Sequence, residues 1–141
     1  RFTSVDFCDE SGNPAQPRCG KPLFIKVSFK VSDSLRNCFF SFGFKDLFGN
    51  PLIVLSTKYL FGEIHLTPGT HVGVFSVPKL TLTPGTYNCY VYAHAMSEKA
   101  DHVDMLRQFQ VLDDDYYGTG HMVGGHLQGK VVLSDFSWSL E

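Results

Sequence analysis

A two-residue alternation of apolar and polar side chains constrains the fold of this chain more than any other feature. It is clearest at residues 23–31, where apolar residues occupy every odd position. Successive side chains of a strand point to opposite faces, so this pattern predicts a strand with one buried face. The same period recurs along the chain, whereas the 3.6-residue period of a helix does not. We therefore expect no helix longer than one or two turns.

Turn signals divide the rest of the chain into further short strands. The predicted strands cover residues 1–10, 38–46, 52–56, 71–82, 87–96, 103–112 and 130–140. Asp46–Pro51 is predicted to form a hairpin turn, and a short helical turn is compatible with residues 57–70. Loops are expected at residues 11–20, 32–37, 96–102 and 113–129. This spacing predicts one all-β domain over residues 1–141, an immunoglobulin-like or jelly-roll antiparallel β-sandwich.

The composition limits the partners that this chain can bind. Charged residues make up 18% and the net charge is -2, so we expect no nucleic-acid partner. No apolar run approaches the roughly 20 residues of a membrane-spanning helix. Aromatic residues make up 14%, with 13 Phe and 6 Tyr, which favours strands. The chain begins with Arg1 rather than Met, and we interpret it as part of a longer polypeptide.

Four cysteines are present, and none of them forms a CxxC pair typical of a zinc or redox motif. Cys38 and Cys89 lie within predicted strands, where we expect small buried side chains. Cys8 and Cys19 flank a turn-rich loop. We expect free thiols, while a bridge between these two in an oxidising compartment remains open.

Residues 82–89 resemble the tyrosine corner of immunoglobulin-like domains. In that motif a Tyr two residues before a buried Cys donates its hydroxyl to the backbone of the preceding loop. Tyr87 and Cys89 have this spacing, and Pro84 and Gly85 form the turn before them. We therefore expect Tyr87 to stabilise the corner and Cys89 to be buried.

The strand after this corner has an unusual outer face. Its odd-numbered residues are small or apolar, as a core requires, while its even-numbered residues include two tyrosines and a histidine. The strands at 38–46 and 103–112 are expected to flank it. The candidate ligand-binding residues on this face are Asn88, Tyr90, Tyr92, His94, Phe39, Ser41, Lys45 and Gln108. Aromatic rings pack on the C–H faces of sugars, and short polar groups bind their hydroxyls, so this set predicts carbohydrate binding. The alternative is an aromatic patch covered by another segment or by a protein partner.

The sequence offers no catalytic motif. A glycosidase needs two facing carboxylates, whereas the Glu residues lie in or near predicted loops. Asp113–Asp115 is expected to be a solvated charged loop, and His121 and His126 lack zinc-ligand spacing. Nucleophile and phosphate-loop motifs are absent. We expect a binding domain without enzyme activity, metal or cofactor.

Several tracts, read in order, resemble one family. They are Gly20–Pro22, Phe42–Gly49, Leu80–Tyr87, Phe109–Val111 and a terminal stretch through Gly129, Val131 and Trp138. Together they are similar to the C-terminal domain of Wzt, the ATP-binding subunit of O-antigen polysaccharide ABC transporters.

This resemblance implies a cytoplasmic carbohydrate-binding module at the inner membrane. It would recognise the modified non-reducing end of a bacterial O-antigen polysaccharide and couple it to export. An ATPase domain would precede Arg1 and contact the membrane transport subunit. A homodimer is implied in which the last strand, Lys130–Leu140, is exchanged about a hinge at Gly118–Gly129. Tyr90, Tyr92 and His94 are not family motif positions and rest on strand alternation alone.

Two further expectations concern the single tryptophan and two basic residues. Trp138 is expected in the core or a dimer interface, or else in the binding site. Lys45 or Arg107 is a candidate contact for an acidic sugar, although Arg107 alternates toward the core. An immunoglobulin-like adhesion or assembly domain that binds protein remains the alternative function.

Overall fold

The computed structural model describes residues 1–60, 63–95, 98–123, 129–132 and 137–140, and for residues 98–106 it describes the backbone only. Eight strands account for most of these residues. The strands are β1 (Phe2–Cys8), β2 (Leu23–Val31), β3 (Leu35–Lys45), β4 (Pro51–Ser56), β5 (Ile64–Leu66), β6 (Gly69–Val77), β7 (Gly85–Ala95) and β8 (Glu98–Val111). One turn of 3₁₀-helix, Thr57–Tyr59, follows β4. Within these residues, no helix is both long and apolar enough to cross a membrane.

The strands form two antiparallel sheets. A three-stranded sheet has the order β1-β2-β6, and a five-stranded sheet has the order β4-β3-β7-β8, with β5 also paired to β3. The apolar faces of the two sheets enclose the core, so the predicted antiparallel β-sandwich is confirmed. The predicted neighbours of β7, which are β3 on one side and β8 on the other, are also confirmed.

Aromatic side chains dominate the core between the sheets. Phe42 of β3 is fully buried, and its ring centroid lies 5.2 Å from that of Phe44 and 6.4 Å from that of Phe7 on β1. Phe75 of β6 contacts it at 6.2 Å. Phe42 thus joins both sheets.

The tyrosine corner is formed as predicted. The Tyr87 hydroxyl donates to the carbonyl oxygen of Thr83 at 2.6 Å, and the Tyr87 side chain is fully buried. Burial raises the pKa of Tyr87, so the donor hydroxyl keeps its proton. The hydroxyl of Thr83 in turn donates to the carbonyl oxygen of Gly129 at 3.0 Å, which ties the corner to the C-terminal segment.

All four cysteines are buried thiols in the structure. Burial raises the pKa of Cys19 and that of Cys89 to about 11, and the carboxylates of Asp113 and Asp114 add to the effect at Cys19. Both side chains are therefore protonated near neutral pH and behave as small core residues.

Several strand boundaries differ from the sequence prediction. β6 spans Gly69–Val77 rather than residues 71–82, and β5 lies within residues 57–70, where no strand was predicted. β3 begins at Leu35 rather than at residue 38, because Leu35 pairs with Leu66 across an irregularity where Asn37 adopts a positive φ of 54°. Residues 98–102 belong to β8 and are not a polar loop, because the β7–β8 hairpin continues to the pair Ala95–Glu98. The prediction of a loop at 96–102 was wrong for these residues, and 96–97 lie outside the description.

The predicted last strand, Lys130–Leu140, is only partly supported. Val131 forms one bridge with Leu82, whereas residues 137–140 are not in a strand. Trp138 is 80% exposed, which contradicts the core as its location in this chain, whereas a dimer interface or the binding site stays a prediction. Residues 133–136 of that strand and 124–128 of the expected hinge, with His126 among them, lie outside the described residues.

Candidate functional site

Strand register brings the predicted binding residues together on the outer face of the five-stranded sheet. Phe39 pairs with His94, Ser41 with Tyr92, and Lys45 with Asn88, across β3 and β7. Asn88 pairs in turn with Gln108 on β8. Residues that pair directly across antiparallel strands share a face, so the whole predicted set lies on one surface.

Four of these side chains form a continuous line that we call the aromatic row: Tyr90, Tyr92, His94 and Phe39. The rings of Tyr90 and Tyr92 are parallel within 4°, with centroids 6.1 Å apart. His94 meets Tyr92 edge-on at 5.4 Å and stacks on Phe39 at 4.8 Å. Tyr92, His94 and Phe39 are half-buried, so part of each ring faces solvent.

A lysine stands at each end of the aromatic row. The Nζ atom of Lys45 lies 4.4 Å from the Tyr90 ring centroid, and that of Lys58 lies 5.4 Å from the Phe39 ring centroid. Both distances are typical of cation–π contacts. Lys58 was not predicted, because it lies in the 3₁₀ turn, where no strand alternation assigns a face.

Tyr90 is more covered than the alternation indicates, with only 9% of its surface exposed. It pairs with Gly43, and a Cβ atom built on Gly43 would lie 2.1 Å from the Tyr90 Cζ atom. The Tyr90 ring therefore extends over the backbone of β3, in space that any side chain at residue 43 would fill. Tyr90 is therefore the most covered ring of the row and does not protrude. The expectation that Tyr90 is accessible was wrong.

Ser41 lies on the predicted face but does not reach solvent. Its side chain is fully buried, and its hydroxyl donates to Ser56 Oγ at 3.0 Å. Ser56 Oγ also accepts from the backbone N–H of Lys58 at 3.3 Å and so begins the 3₁₀ turn. As placed, Ser41 cannot contact a ligand and instead supports the turn that carries Lys58.

Polar side chains border the aromatic row toward β8. Asn88 is half-buried, and Gln108 and Gln110 are exposed. Arg107 lies on the opposite face, where its guanidinium donates to the carbonyl oxygen of Val5 and packs 5.1 Å from the Phe7 ring centroid. Arg107 therefore joins the two sheets and does not border the row.

A substitution at Gly43 tests how the row is built. We expect Gly43→Ala to displace the Tyr90 ring and to lower the free energy of unfolding by about 1–3 kcal/mol, the usual cost of overpacking. Urea denaturation measures the loss, and the nuclear magnetic resonance shifts of the Tyr90 ring report its movement. Gly73→Ala is the matched control, because a Cβ atom there lies 3.9 Å from its nearest neighbour. Equal stability of both variants and an unmoved Tyr90 ring would contradict this placement.

The described residues do not bring together three or more His, Cys, Asp or Glu side chains able to hold a metal ion. In the loop at 113–115, the Asp115 carboxylate accepts from the backbone N–H groups of Gly120 at 2.7 Å and Thr119 at 3.1 Å. These bonds, that of Gly120 first, lower the pKa of Asp115 and engage its carboxylate in a turn. The absence of a metal from the function stays a prediction.

Comparisons with known proteins agree with the fold. A family model described as the Wzt C-terminal domain matches residues 1–123. A structure titled "Crystal structure of the C-terminal domain of wzt" superposes with a TM-score of 0.70 at 12% sequence identity, covering 99% of this chain and 83% of that chain. At this identity the superposition shows a shared fold. No curated protein sequence matches the chain.

Proposed function

Since the chain belongs to the Wzt C-terminal domain family, we propose that it is a non-catalytic carbohydrate-binding module that recognises the modified non-reducing end of a bacterial O-antigen polysaccharide and couples it to export. The family supports a carbohydrate-binding role within an ABC transporter. The identity of the glycan end, and the residues that bind it, are the parts that this proposal adds.

The aromatic row is the observation that carries the proposal. Tyr92, His94 and Phe39 present partly exposed rings along one sheet face, and the more covered Tyr90 ring continues the row beside Tyr92. A pyranose ring has an apolar C–H face that packs on such rings, and rings in a line can contact successive sugars of a chain. The contacts between rings fix their orientation before a ligand arrives, which reduces the entropy lost on binding.

The polar groups around the row suit the hydroxyls and charges of a sugar. Asn88 and Gln108 carry amides that both donate and accept hydrogen bonds, and His94 adds a ring nitrogen. Lys45 and Lys58 place positive charge at both ends of the row. These groups provide the directional bonds that distinguish one saccharide from another.

We propose that the module acts in the cytoplasm, at the inner membrane. Its partners would be the ATPase domain of the same transporter and, through it, the membrane transport subunit. The site needs no cofactor in this proposal, because binding alone licenses export of the glycan.

Association into a homodimer through the C-terminal segment is a second part of the proposal. The backbone N–H of Val132 donates to the carbonyl oxygen of Thr81 at 2.6 Å, and that of Thr83 donates to the carbonyl oxygen of Lys130 at 2.9 Å. Beyond these bonds, Trp138 and Leu140 are 80% and 85% exposed. Such exposed apolar residues are readily buried against a second copy.

A truncated chain tests this association. A chain that ends at Val132 keeps the bonds to Thr81 and Thr83 but lacks Trp138 and Leu140. We expect it to elute as a monomer in size-exclusion chromatography with light scattering, whereas the full chain elutes as a dimer. The thermal unfolding midpoint of the full chain depends on concentration if the chain is a dimer. A midpoint of the truncated chain that differs from it only by this dependence shows that the fold is intact. A truncated chain that remains dimeric would rule out the C-terminal segment as the cause of association.

Calorimetric titration tests the carbohydrate proposal itself. The ligand is O-polysaccharide purified from the organism that encodes this chain, compared with the same material after chemical removal of its terminal modification. We expect measurable but modest affinity that is lost with the modification, because sugar hydroxyls exchange water bonds for similar protein bonds. Equal binding of both forms would contradict recognition of the end. Binding of neither form would contradict carbohydrate recognition and favour a protein-binding adhesion or assembly domain.

A further inference from the structure

The edge strand β6 lacks the features that usually prevent a free edge from pairing with another chain. Among the described residues only β2 pairs with it, and that pairing runs through nine consecutive residues without a bulge. Gly69–Val77 contains no charged residue and no proline. Val72 and Val74 lie on the outer face of the sheet, with 59% and 50% of their surfaces exposed. Because charges, prolines, bulges and short length are what block free edges, β6 is open to a further strand.

The edge strands β1, β4 and β8 each carry at least one such feature. The edge of β1 is covered by the loop that follows it, where the backbone N–H of Ala15 donates to the carbonyl oxygen of Phe7 at 3.0 Å. β4 has only six residues and begins at Pro51, and its pairing with β3 contains an irregularity. β8 has charged residues along its length, namely Glu98, Lys99, Asp101, Asp104 and Arg107.

The outer face of β6 has nearly the same sequence in both directions about Gly73. Val72 and Val74 flank this glycine, and the hydroxyl residues Thr70 and Ser76 follow on either side. In an antiparallel pair with a second β6 centred on Gly73, Val72 lies opposite Val74 of the other copy. Thr70 then lies opposite Ser76. Branched apolar pairs and hydroxyl pairs directly across two strands both stabilise a sheet.

The inward side of the same pairing is also compatible with two copies. His71 and Phe75 are half-buried on this side, and in this register the ring of each lies opposite that of the other. The His71 ring already stacks on Phe29, with the centroids 5.5 Å apart. At the centre Gly73 faces Gly73, and a Cβ atom built there meets only the Cε1 atom of Phe29, at 3.9 Å. No side chain therefore stands between the two backbones at this point.

From these observations we propose that β6 pairs antiparallel with β6 of a second copy of this chain, in the register centred on Gly73. The pairing joins two three-stranded sheets into one sheet of six strands about a twofold axis. No like charges meet, because the strand carries none. An unrelated peptide has no reason to match this pattern, whereas a second copy supplies it residue by residue.

This contact is separate from the two proposed above. One strand pair buries little surface compared with the about 1,600 Å² of stable interfaces, so we expect weak association that is lost at chromatographic dilution. The expected elution of the truncated chain is therefore unaffected. Because β6 and the C-terminal segment are different residues, the contact would link dimers formed through that segment into larger assemblies. It does not depend on carbohydrate binding.

Register-specific disulfide cross-linking of the full chain tests the pairing. Val72→Cys combined with Val74→Cys places thiols directly opposite each other across the two copies, within reach of a disulfide. Thr70→Cys combined with Val72→Cys is the matched control, because it has the same spacing but its thiols face residues 76 and 74. We expect at least about tenfold more cross-linked dimer from the first variant on non-reducing electrophoresis. The native cysteines are buried.

Charges at the ends of the paired segment provide a second test. Thr70→Lys and Ser76→Lys, added to the first cysteine variant, place like charges opposite each other and should reduce cross-linking at least about tenfold. Thr70→Lys with Ser76→Glu places opposite charges there and should retain it. Both positions are exposed, so these variants should keep the fold.

Hydrogen exchange of the unchanged chain requires no variant. The N–H groups of alternate β6 residues point away from β2 and should exchange quickly in a monomer. We expect their exchange to slow as the protein concentration rises. Equal cross-linking of the two cysteine variants, an unchanged yield with two lysines, or fast exchange of these amides at every concentration would overturn the proposal. None of these results bears on the aromatic row or the C-terminal segment.

Discussion

Tyr92→Ala will reduce glycan affinity by about thirtyfold or more, because an aromatic anchor at the centre of a binding surface contributes about 2 kcal/mol or more. Tyr92 lies in the middle of the aromatic row, between Tyr90 at 6.1 Å and His94 at 5.4 Å. Its ring is half-buried, so its removal should change the free energy of unfolding by only about 1 kcal/mol. Calorimetric titration with the O-polysaccharide measures the glycan affinity, and urea denaturation measures the free energy of unfolding.

Two variants control for this result. Tyr92→Phe keeps the ring and should retain most of the affinity. Phe48→Ala removes an aromatic ring that is 92% exposed at the tip of the β3–β4 hairpin and should change neither quantity. Full glycan affinity of Tyr92→Ala would show that the row does not bind the sugar. Loss of the fold in this variant would show that Tyr92 is a core residue.

Phe42→Ala will lower the free energy of unfolding by about 3–5 kcal/mol, the usual cost of truncating a buried Phe. Phe42 lies on β3 beside Ser41, whose partner is Tyr92, but it points to the opposite face and is fully buried. Its ring contacts rings from both sheets, so the truncation leaves a cavity at their junction. Because small domains have about 5–15 kcal/mol of stability in total, the loss is a large fraction of it.

Urea denaturation of Phe42→Ala measures the effect, and glycan titration of the remaining folded protein separates it from binding. We expect near-normal affinity per folded molecule, since Phe42 does not reach the outer face. A change below about 1 kcal/mol would contradict the assignment of the inner face of β3. With Tyr92→Ala, this variant tests both faces of the same strand pair.

The faces of the central strands were predictable from sequence because side-chain alternation is a local property. The even-numbered residues of β7 and the odd-numbered residues of β3 share a surface for that reason. The tyrosine corner was likewise predictable, since its two residues and the turn before them lie within one short tract.

Accessibility of individual side chains was not predictable in the same way. The coverage of Tyr90 depends on Gly43 in another strand, and that of Ser41 depends on Ser56 at the end of β4. Lys58 reaches the row only because the 3₁₀ turn folds beside Phe39. Each of these contacts joins distant parts of the sequence, and alternation within one strand does not report them.

The C-terminal region shows that a pattern of apolar residues is not sufficient to predict a strand. Residues 130–140 carry enough apolar side chains to predict a strand, but a strand also needs a partner with free backbone groups. In the described residues only Lys130, Val131 and Val132 have such a partner, in the segment Thr81–Thr83.

The most direct test of the aromatic row is to map backbone amide shifts by nuclear magnetic resonance during titration with the O-polysaccharide. Saturable changes should concentrate in β3 and β7, around Phe39, Tyr92 and His94, and extend to Gln108 on β8. The outer face of the three-stranded sheet, represented by Ser28 and Val72, should not change. Changes confined to that sheet, with none along the row, would contradict the proposed binding face.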